Sequence, residues 1–404
     1  MISAEDAATT ATRFLPLSPQ PSERLALMLG GGGARGAYQA GVLLGLARQF
    51  PQLRFPIITG ISAGALNATY LASHNDSPLR AAEQLAELWL GLTPDRVYDV
   101  RTVPLLGNVA RWGLRLVSGG IGGRREPTRG LVDTTPLRRV LEESLERAAD
   151  GSLPGIARNI GRGALHAVAL SATSYSTGQS VTWVEGRDVD LWQRPQRRSE
   201  LARLTVAHAM ASSALPMVFP AVQVGPQWFG DGGVRLTAPL SPTLHLGATR
   251  ILTISTRYPR TRAEADIPLT TGYPPPAQVL GVLYNSVFLD LIDEDVLRLR
   301  RVNRLLRDAA ADRREGMRVV EIHVIRPSRD LGMLAREFEP KLPRLFRYLT
   351  RGLGTTATRS PDFLSLLLFQ TDYLRRLVEL GESDAHAEAA RIEAFLERPA
   401  TVTT

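Results

Sequence analysis

Twice near its start this chain places an apolar run directly before a glycine-flanked turn and then a helical pattern, and that repetition constrains the fold more than any other feature. Leu25 to Leu29 is a short apolar run that stops at Gly30. From Ala37 to Gln49 the residues Tyr38, Val42, Leu43, Leu46 and Ala47 recur at helical spacing. The second unit reads as a strand over Phe55 to Ile61, a turn between Gly60 and Gly64, and a helix over Ala63 to Ser73. Strand-turn-helix units in succession predict an α/β protein with a largely parallel sheet covered by helices. Further strands are expected at Ala167 to Thr173, near Val181 to Val184, at Arg250 to Ser255 and at Arg318 to Ile325. One helix is expected from Pro136, with Thr135 as its cap, and others over Pro276 to Ala311, Pro340 to Leu353 and Asp362 to Leu380.

Composition sets the class. The chain has 404 residues, enough for a full core, and its 44% hydrophobic and 22% charged content fits a soluble globular protein. It contains no cysteine, which excludes disulfides, thiolate metal sites and a cysteine nucleophile. The net charge of +8 comes almost wholly from arginine, Lys341 being the only lysine. A basic surface of this kind suits anionic lipid headgroups or nucleic acid, or is simply general surface charge. Met1 to Pro21 lacks a basic stretch followed by an apolar one, so it reads as a loose leader over residues 1–22 and not as a secretory signal. No apolar stretch is long enough to span a bilayer, and even Val103 to Val117 is broken by Arg111 and Arg115. These features are compatible with a cytoplasmic protein whose membrane contact is peripheral, on the inner face. The glycine-rich segment Thr93 to Thr128 reads as a helical hairpin packed on the core, with a lid or membrane-facing insertion as the alternative.

The glycine loop Gly31-Gly32-Gly33-Ala34-Arg35-Gly36 admits several readings. As a dinucleotide fingerprint it needs an acidic residue about 20 positions on, and no Asp or Glu occurs from Gly31 through Asn75. A phosphate-binding Walker loop fails because Ala37, not lysine, follows Gly36. What remains is a bare strand-to-helix turn whose amides suit a negative oxygen, or a merely tight structural turn. The Gly60-Ile61-Ser62-Ala63-Gly64 segment is a nucleophile-elbow pattern: small neighbours let Ser62 take a strained position at a helix N-terminus.

Such a serine needs a base. His74, His166, His208, His245, His323 and His386 lie in no loop motif, and each reads as structural. Asp231 lies between Gly230 and Gly232-Gly233, just after Trp228-Phe229, where the flanking glycines leave its carboxylate free to approach another backbone closely. An ordinary Asp-Gly turn is the plain alternative.

Taken in order, the three motifs resemble those of the patatin-like phospholipases: G-G-G-x-R-G, G-x-S-x-G and D-G-G. The likeness extends through Leu131 to Leu137 and Ala211 to Pro220, with Gly30 a small departure where many members carry serine or aspartate. The resemblance implies a three-layer α/β/α sandwich, with a catalytic domain over residues 23–260 and a helix-rich C-terminal extension over 261–404 that returns a late strand near 317–325. It implies Ser62 as nucleophile, Asp231 as base in a dyad without histidine, and Gly31, Gly32, Gly33 and Ala34 as the oxyanion loop. Arg35, Gly36, Gly60, Gly64, Gly232 and Gly233 would support the site. Implied substrates are lipid acyl esters, chiefly membrane phospholipids and lysophospholipids, with no cofactor, no metal and no nucleic acid partner. The helices after Pro276 would pack on their own sheet or form a homodimer surface. Two alternatives stand beside this reading: an α/β-hydrolase with a Ser-His-Asp triad, using His323, and a noncatalytic lipid-binding protein.

Overall fold

The computed structural model describes residues 24–99, 130–342 and 344–397. The leader reading and the hairpin-or-lid reading from residue 100 onward lie outside these residues.

Ten strands form one mixed sheet. In chain order they are β1 (Leu25–Leu29), β2 (Ile57–Ile61), β3 (Ala167–Ser174), β4 (Ser180–Gly186), β5 (Gln193–Arg194), β6 (Arg197–Leu201), β7 (Val222–Val224), β8 (Gln227–Asp231), β9 (Arg250–Ile254) and β10 (Glu321–Ile325). The order across the sheet is β10-β9-β1-β2-β3-β4-β6-β5, with β8 on β3 and β7 on β8. From β10 to β3 every pairing is parallel, while β3 pairs antiparallel with β4 and with β8. β1, β2 and β9 are apolar and almost wholly buried, as central parallel strands covered on both faces must be.

The two faces carry separate cores. Leu27 and Leu29 point to one, against α1 (Gly36–Gln49), α2 (Ala63–Ser73) and α3 (Pro78–Leu90). Ala26 and Met28 alternate to the other, where Ile292, Val296 and Leu299 of the helix Asp290–Asp308 cover them. The result is the expected three-layer α/β/α sandwich, and the helix Asp290–Asp308 packs on its own sheet.

The C-terminal segments are built into this sandwich. β10 extends the parallel sheet beside β9. The helix Thr371–Ala387 lies so close to α1 that a Cβ on Gly41 would collide with the Val378 carbonyl, and one on Gly381 with the Tyr38 carbonyl. Tyr38 seals this crossing by donating to Asp384 at 3.0 Å.

Two expected helices are interrupted. Pro276 to Ala311 divides into Pro276–Phe288 and Asp290–Asp308 at Leu289. Neither glycine nor proline marks that break. Phe288 and Leu289 are buried in one core while Ile292 enters the other, and Asp290 and Asp293 begin the second helix, where its dipole favours acids. Asp362 to Leu380 likewise divides at Leu368–Gln370, into Asp362–Leu367 and Thr371–Ala387. The stretch Pro340 to Leu353 is helical from Arg344 to Gly352, after a single tight turn at Glu339–Lys341.

Candidate active site

One edge of β3 brings the serine and the aspartate together. Along that edge β2 pairs up to Ile61 opposite Ser171, and β8 takes over with Asp231 opposite Ala172. Ser62, the residue after Ile61, therefore emerges beside the last residue of β8. Ser62 has φ 55° and ψ −128° at the N-cap of α2, a strained conformation for a residue with a side chain. Gly60 and Gly64 make the turn possible, since a Cβ on either would strike backbone: Gly64 for Gly60, Leu29 for Gly64.

The elbow is held by two serines from the helix Val206–Ser212 and the residue after it. The Ser62 amide donates to Ser212 Oγ at 3.0 Å, and that hydroxyl donates to the Ser171 carbonyl at 2.6 Å. Ser213 Oγ donates to the Ser62 carbonyl at 2.9 Å. The Ser62 backbone is thus tied on both sides, which lets the strained turn persist.

Asp231 is fully buried. Its amide donates to the Ala214 carbonyl at 3.0 Å, its carbonyl accepts from Thr173 Oγ1 at 2.8 Å, and its Oδ1 accepts from the Gly233 amide at 2.9 Å. Gly232 packs its Cα on the Ser171 carbonyl, with no room for a side chain. Burial pushes the Asp231 carboxyl up to about 7, against the opposing pull of the Ser62 hydroxyl and the Gly233 amide. Oδ2 has no partner of hydrogen-bonding geometry among the described residues, although the Ser62 hydroxyl is near enough to act on the carboxylate.

The glycine loop passes on the other side of Ser62. A Cβ on Gly31 would lie 3.2 Å from Ser62 Cβ and 3.7 Å from its Oγ. Gly32 and Gly33 take φ values of 152° and 55°, open to glycine and costly for other residues. The amides of Gly31 and Gly32 have no acceptor among the described residues, while the Gly31 carbonyl accepts from Thr256 Oγ1 at 2.6 Å. Ala34 is buried in the short turn that leads into α1 at Gly36. A polar chain fixes this region from behind: Trp89 donates to Asn67 at 2.6 Å, Asn67 to Gln39 at 2.9 Å, and Gln39 to the Gly30 carbonyl at 2.8 Å.

Arg35 turns away from the serine. It is buried, with Nε donating to Ser365 Oγ at 2.7 Å and Nη2 to Asp362 Oδ1 at 2.6 Å. The helix Asp362–Leu367 thereby braces the loop, and a Cβ on Gly33 would collide with its Leu366 carbonyl. Nothing in local sequence announces Asp362 or Ser365 as partners of a loop more than 300 residues earlier. Ser212 and Ser213 did carry a signal, the run Ala211 to Pro220, but not their task.

No histidine is bonded to Ser62 or Asp231 among the described residues. His208 caps its own helix through Thr205 and meets Trp183 edge-on, and His245 stacks on Trp192. His323 stands three strands from β2 with Nε2 3.0 Å from Glu388, which removes it from a triad with Ser62. His166 lies against Arg24, His74 against Gln84, and His386 is exposed. Among the described residues no three His, Cys, Asp or Glu side chains are grouped to hold a metal.

The site is covered by the helix Pro276–Phe288. The Phe288 ring fills the space that a Cβ on Gly233 would need, and the Phe288 carbonyl lies 3.6 Å from the corresponding position on Gly31. Tyr284, one turn earlier, donates to the Pro216 carbonyl at 2.8 Å. Burial and the nearby Asp231 charge push the Tyr284 hydroxyl up to about 12 and raise that of Tyr175. Ser62 is left only 4% exposed.

A parallel-centred sandwich with its serine elbow, glycine loop and buried aspartate at one end of the sheet defines the patatin class of fold. The family model described as Patatin-like phospholipase matches residues 27–244, more than half of the chain, and the chain belongs to that family. No curated protein matches it. Among solved structures it is similar to VipD from Legionella pneumophila, at 13% identity and TM-score 0.33 over 89% of this chain and 67% of that one. It is also similar to human GIVD cytosolic phospholipase A2 in complex with methyl gamma-linolenyl fluorophosphonate, at 14% identity and TM-score 0.43 over 93% of this chain. The chain spans 58% of the length of that human protein. The ExoU-SpcU complex of Pseudomonas aeruginosa matches at 15% identity and TM-score 0.25, over 93% of this chain and 76% of that one.

Proposed function

We propose that this protein hydrolyses fatty acyl esters of lipids, as a phospholipase A or lysophospholipase, through a Ser62-Asp231 dyad. The observation that carries the reading is the strained Ser62 beside a buried carboxylate whose Oδ2 has no bonded partner and whose pKa is lifted to about 7. An ordinary aspartate, with a pKa of about 3.9, is a poor base for a hydroxyl, and burial brings this one into the working range.

In the proposed cycle Ser62 Oγ attacks the ester carbonyl as Asp231 takes its proton. The tetrahedral oxyanion is held by the free amides of Gly31 and Gly32, with Gly33 and Ala34 adjoining. Asp231 returns the proton to the departing alcohol, leaving an acyl-serine. Water, deprotonated by the same carboxylate, attacks the acyl carbon; the bond to Ser62 Oγ breaks as Asp231 returns the proton to that oxygen, and the fatty acid leaves. Since the Ser62 amide already donates to Ser212, it takes no part in holding the oxyanion. Arg35, engaged by Asp362, serves as a positioning residue for the loop.

A lipid surface is the proposed partner. The helix Pro276–Phe288 has no charged residue, and its outer side exposes Val279, Val282 and Leu283 directly over the covered site. An exposed apolar face beside a basic protein's site suits peripheral insertion among headgroups. Among the described residues no helix is long and apolar enough to cross a membrane.

A fluorophosphonate probe tests the reading. Labelling should occur and should vanish in Ser62→Ala; labelling that persists in this variant, or hydrolysis that survives it, overturns the assignment.

A further inference from the structure

A second cavity lies at the far end of the sheet. It is a half-open pocket of about 120 Å³ between the C-terminal halves of α1 and α2, the start of α3 and the entry to β2. Leu43, Leu46, Phe55, Ile58, Leu71 and Leu165 make its walls. Phe55 stands seven residues before Ser62, and the pocket meets α2 at its opposite end from Ser62, so α2 alone separates the two by about 15 Å. This is not the cleft in which Ser62 acts.

The mouth is basic. Arg54 and Arg162 both lie on it and both are exposed. Among the described residues the Arg54 side chain has no hydrogen bond or ion pair, and the one side-chain bond of Arg162 is Nη2 donating to the Asn75 carbonyl at 3.0 Å. The other charged rim group is Asp76, 3.9 Å from His74 Nε2. Asn159 is three residues before Arg162, so the two share one face at the end of the helix Pro154–Gly161. Its Nδ2 donates to the carbonyls of Ala72 at 2.8 Å and His74 at 2.7 Å. Its Oδ1 is buried without a partner, in a side chain only 4% exposed. Through its Nδ2 bonds Asn159 ties the end of α2 to this helix.

Aliphatic walls and two arginines at the mouth ask for one ligand chemistry: a single alkyl chain carrying an anionic phosphate. We propose that this pocket binds a single-chain anionic phospholipid of the lysophosphatidate type, with its chain among the leucines and its phosphate at Arg54 and Arg162. The proposal goes beyond the hydrolysis assigned to Ser62 and needs no turnover. Under that assignment the ligand would also be a product of the distant site, which would make the pocket a place where product is sensed.

The test is titration calorimetry on the full chain carrying Ser62→Ala, with 1-myristoyl lysophosphatidate below its micelle concentration. One-to-one saturable binding is expected. Arg54→Ala with Arg162→Ala, both at exposed positions, should weaken it about tenfold or more. Tetradecyl phosphate, which keeps the chain and the phosphate, should bind comparably, and glycerol phosphate, which lacks the chain, should not bind measurably. The proposal is overturned by an absence of saturable binding, by an affinity that the arginine variant leaves unchanged, or by myristate binding more tightly than the phosphate. Binding that appears only after removal of residues 1–22 also overturns it, by giving the pocket to the chain's own leader. Because Ser62 is replaced throughout, a failure here leaves the probe labelling of Ser62 untouched, and a failure of that labelling leaves this result untouched.

Discussion

Arg35, in the glycine loop, and Asp362, in a helix near the other end of the chain, form a 2.6 Å ion pair inside the protein, with side chains 3% and 12% exposed. The loop that faces Ser62 is therefore shaped by residues outside the segment 27–244 that carries the family match. Deleting one partner of such a pair strands the other without solvent, a loss of about 3–5 kcal/mol. Asp362→Ala should lower the urea midpoint accordingly and should reduce kcat more than it raises KM, because the loop would be held less well. Asp362→Asn, which can still accept from the guanidinium, should recover much of both. A full kcat in Asp362→Ala, at temperatures where it is folded, would show that the brace is irrelevant to catalysis.

The Asp231 carboxyl gives two opposite pH signatures. As the proposed base it must be ionised, so kcat/KM should rise with pH through about 7 and then level off. As a buried group it works against the fold. Its pKa is raised above the ordinary carboxylate value, so between about pH 4 and pH 7 the unfolded chain has released this proton while the folded one retains it. Stability from this group is full below that window and falls as pH rises across it. Asp231→Asn should abolish ester hydrolysis and melt higher than the parent protein at pH 8, with the difference shrinking toward pH 4. Near-normal hydrolysis in Asp231→Asn would sink the dyad, whereas replacing any single histidine should leave the activity in place.

Ser212 satisfies two backbone groups at once, accepting from the Ser62 amide and donating to the Ser171 carbonyl. Ser212→Ala leaves both buried and unpaired, which costs about 1–3 kcal/mol for each. The variant should be destabilised in thermal melts and slower in kcat, because the elbow's strained φ depends on these restraints. Ser212→Thr keeps the hydroxyl and should lose less.

Where a local pattern sufficed, the sequence was readable. β1 with the glycine loop and α1, and β2 with the serine turn and α2, are continuous apolar runs punctuated by glycines, and the structure has them at nearly the expected bounds. β8 was not foreseen as a strand. Its five residues, Gln227–Asp231, pair with three in β7 across a turn at Gly225, and no alternation of that length stands out. The nearness of Asp231 to Ser62 was inferred from motif order, but it is produced by the shared edge of β3, a tertiary fact. The breaks at Leu289 and at Leu368–Gln370 were equally hidden, because apolar residues continue through both; at Leu289 only the core they enter changes, and at Leu368–Gln370 not even that. Arg35 was expected to support the loop or balance charge, and its partners could not be named from sequence because they lie so far along the chain.

The helix Pro276–Phe288 sets the last prediction. Phe288 packs on Gly233, Tyr284 fastens the helix to the Pro216 carbonyl, and Ser62 is nearly inaccessible beneath them. A lipid ester can reach the serine only if this cover shifts, and the uncharged outer face formed by Val279, Val282 and Leu283 supplies the reason: those side chains gain by entering a lipid surface. Val282 and Leu283 are about half exposed, so moving them out of water is worth about half of the 1.5–3 kcal/mol that full burial of such a side chain brings. Val282→Asp with Leu283→Asp should therefore depress hydrolysis of phospholipid vesicles by about tenfold or more while barely changing that of a dissolved short-chain ester. Phe288→Ala should act in the opposite sense and raise turnover of the dissolved ester, since the ring over Gly233 is gone. Equal loss on vesicles and on the dissolved ester in the double aspartate variant would mean that the helix supports the site without meeting the lipid. Paired assays on the two substrates separate these outcomes.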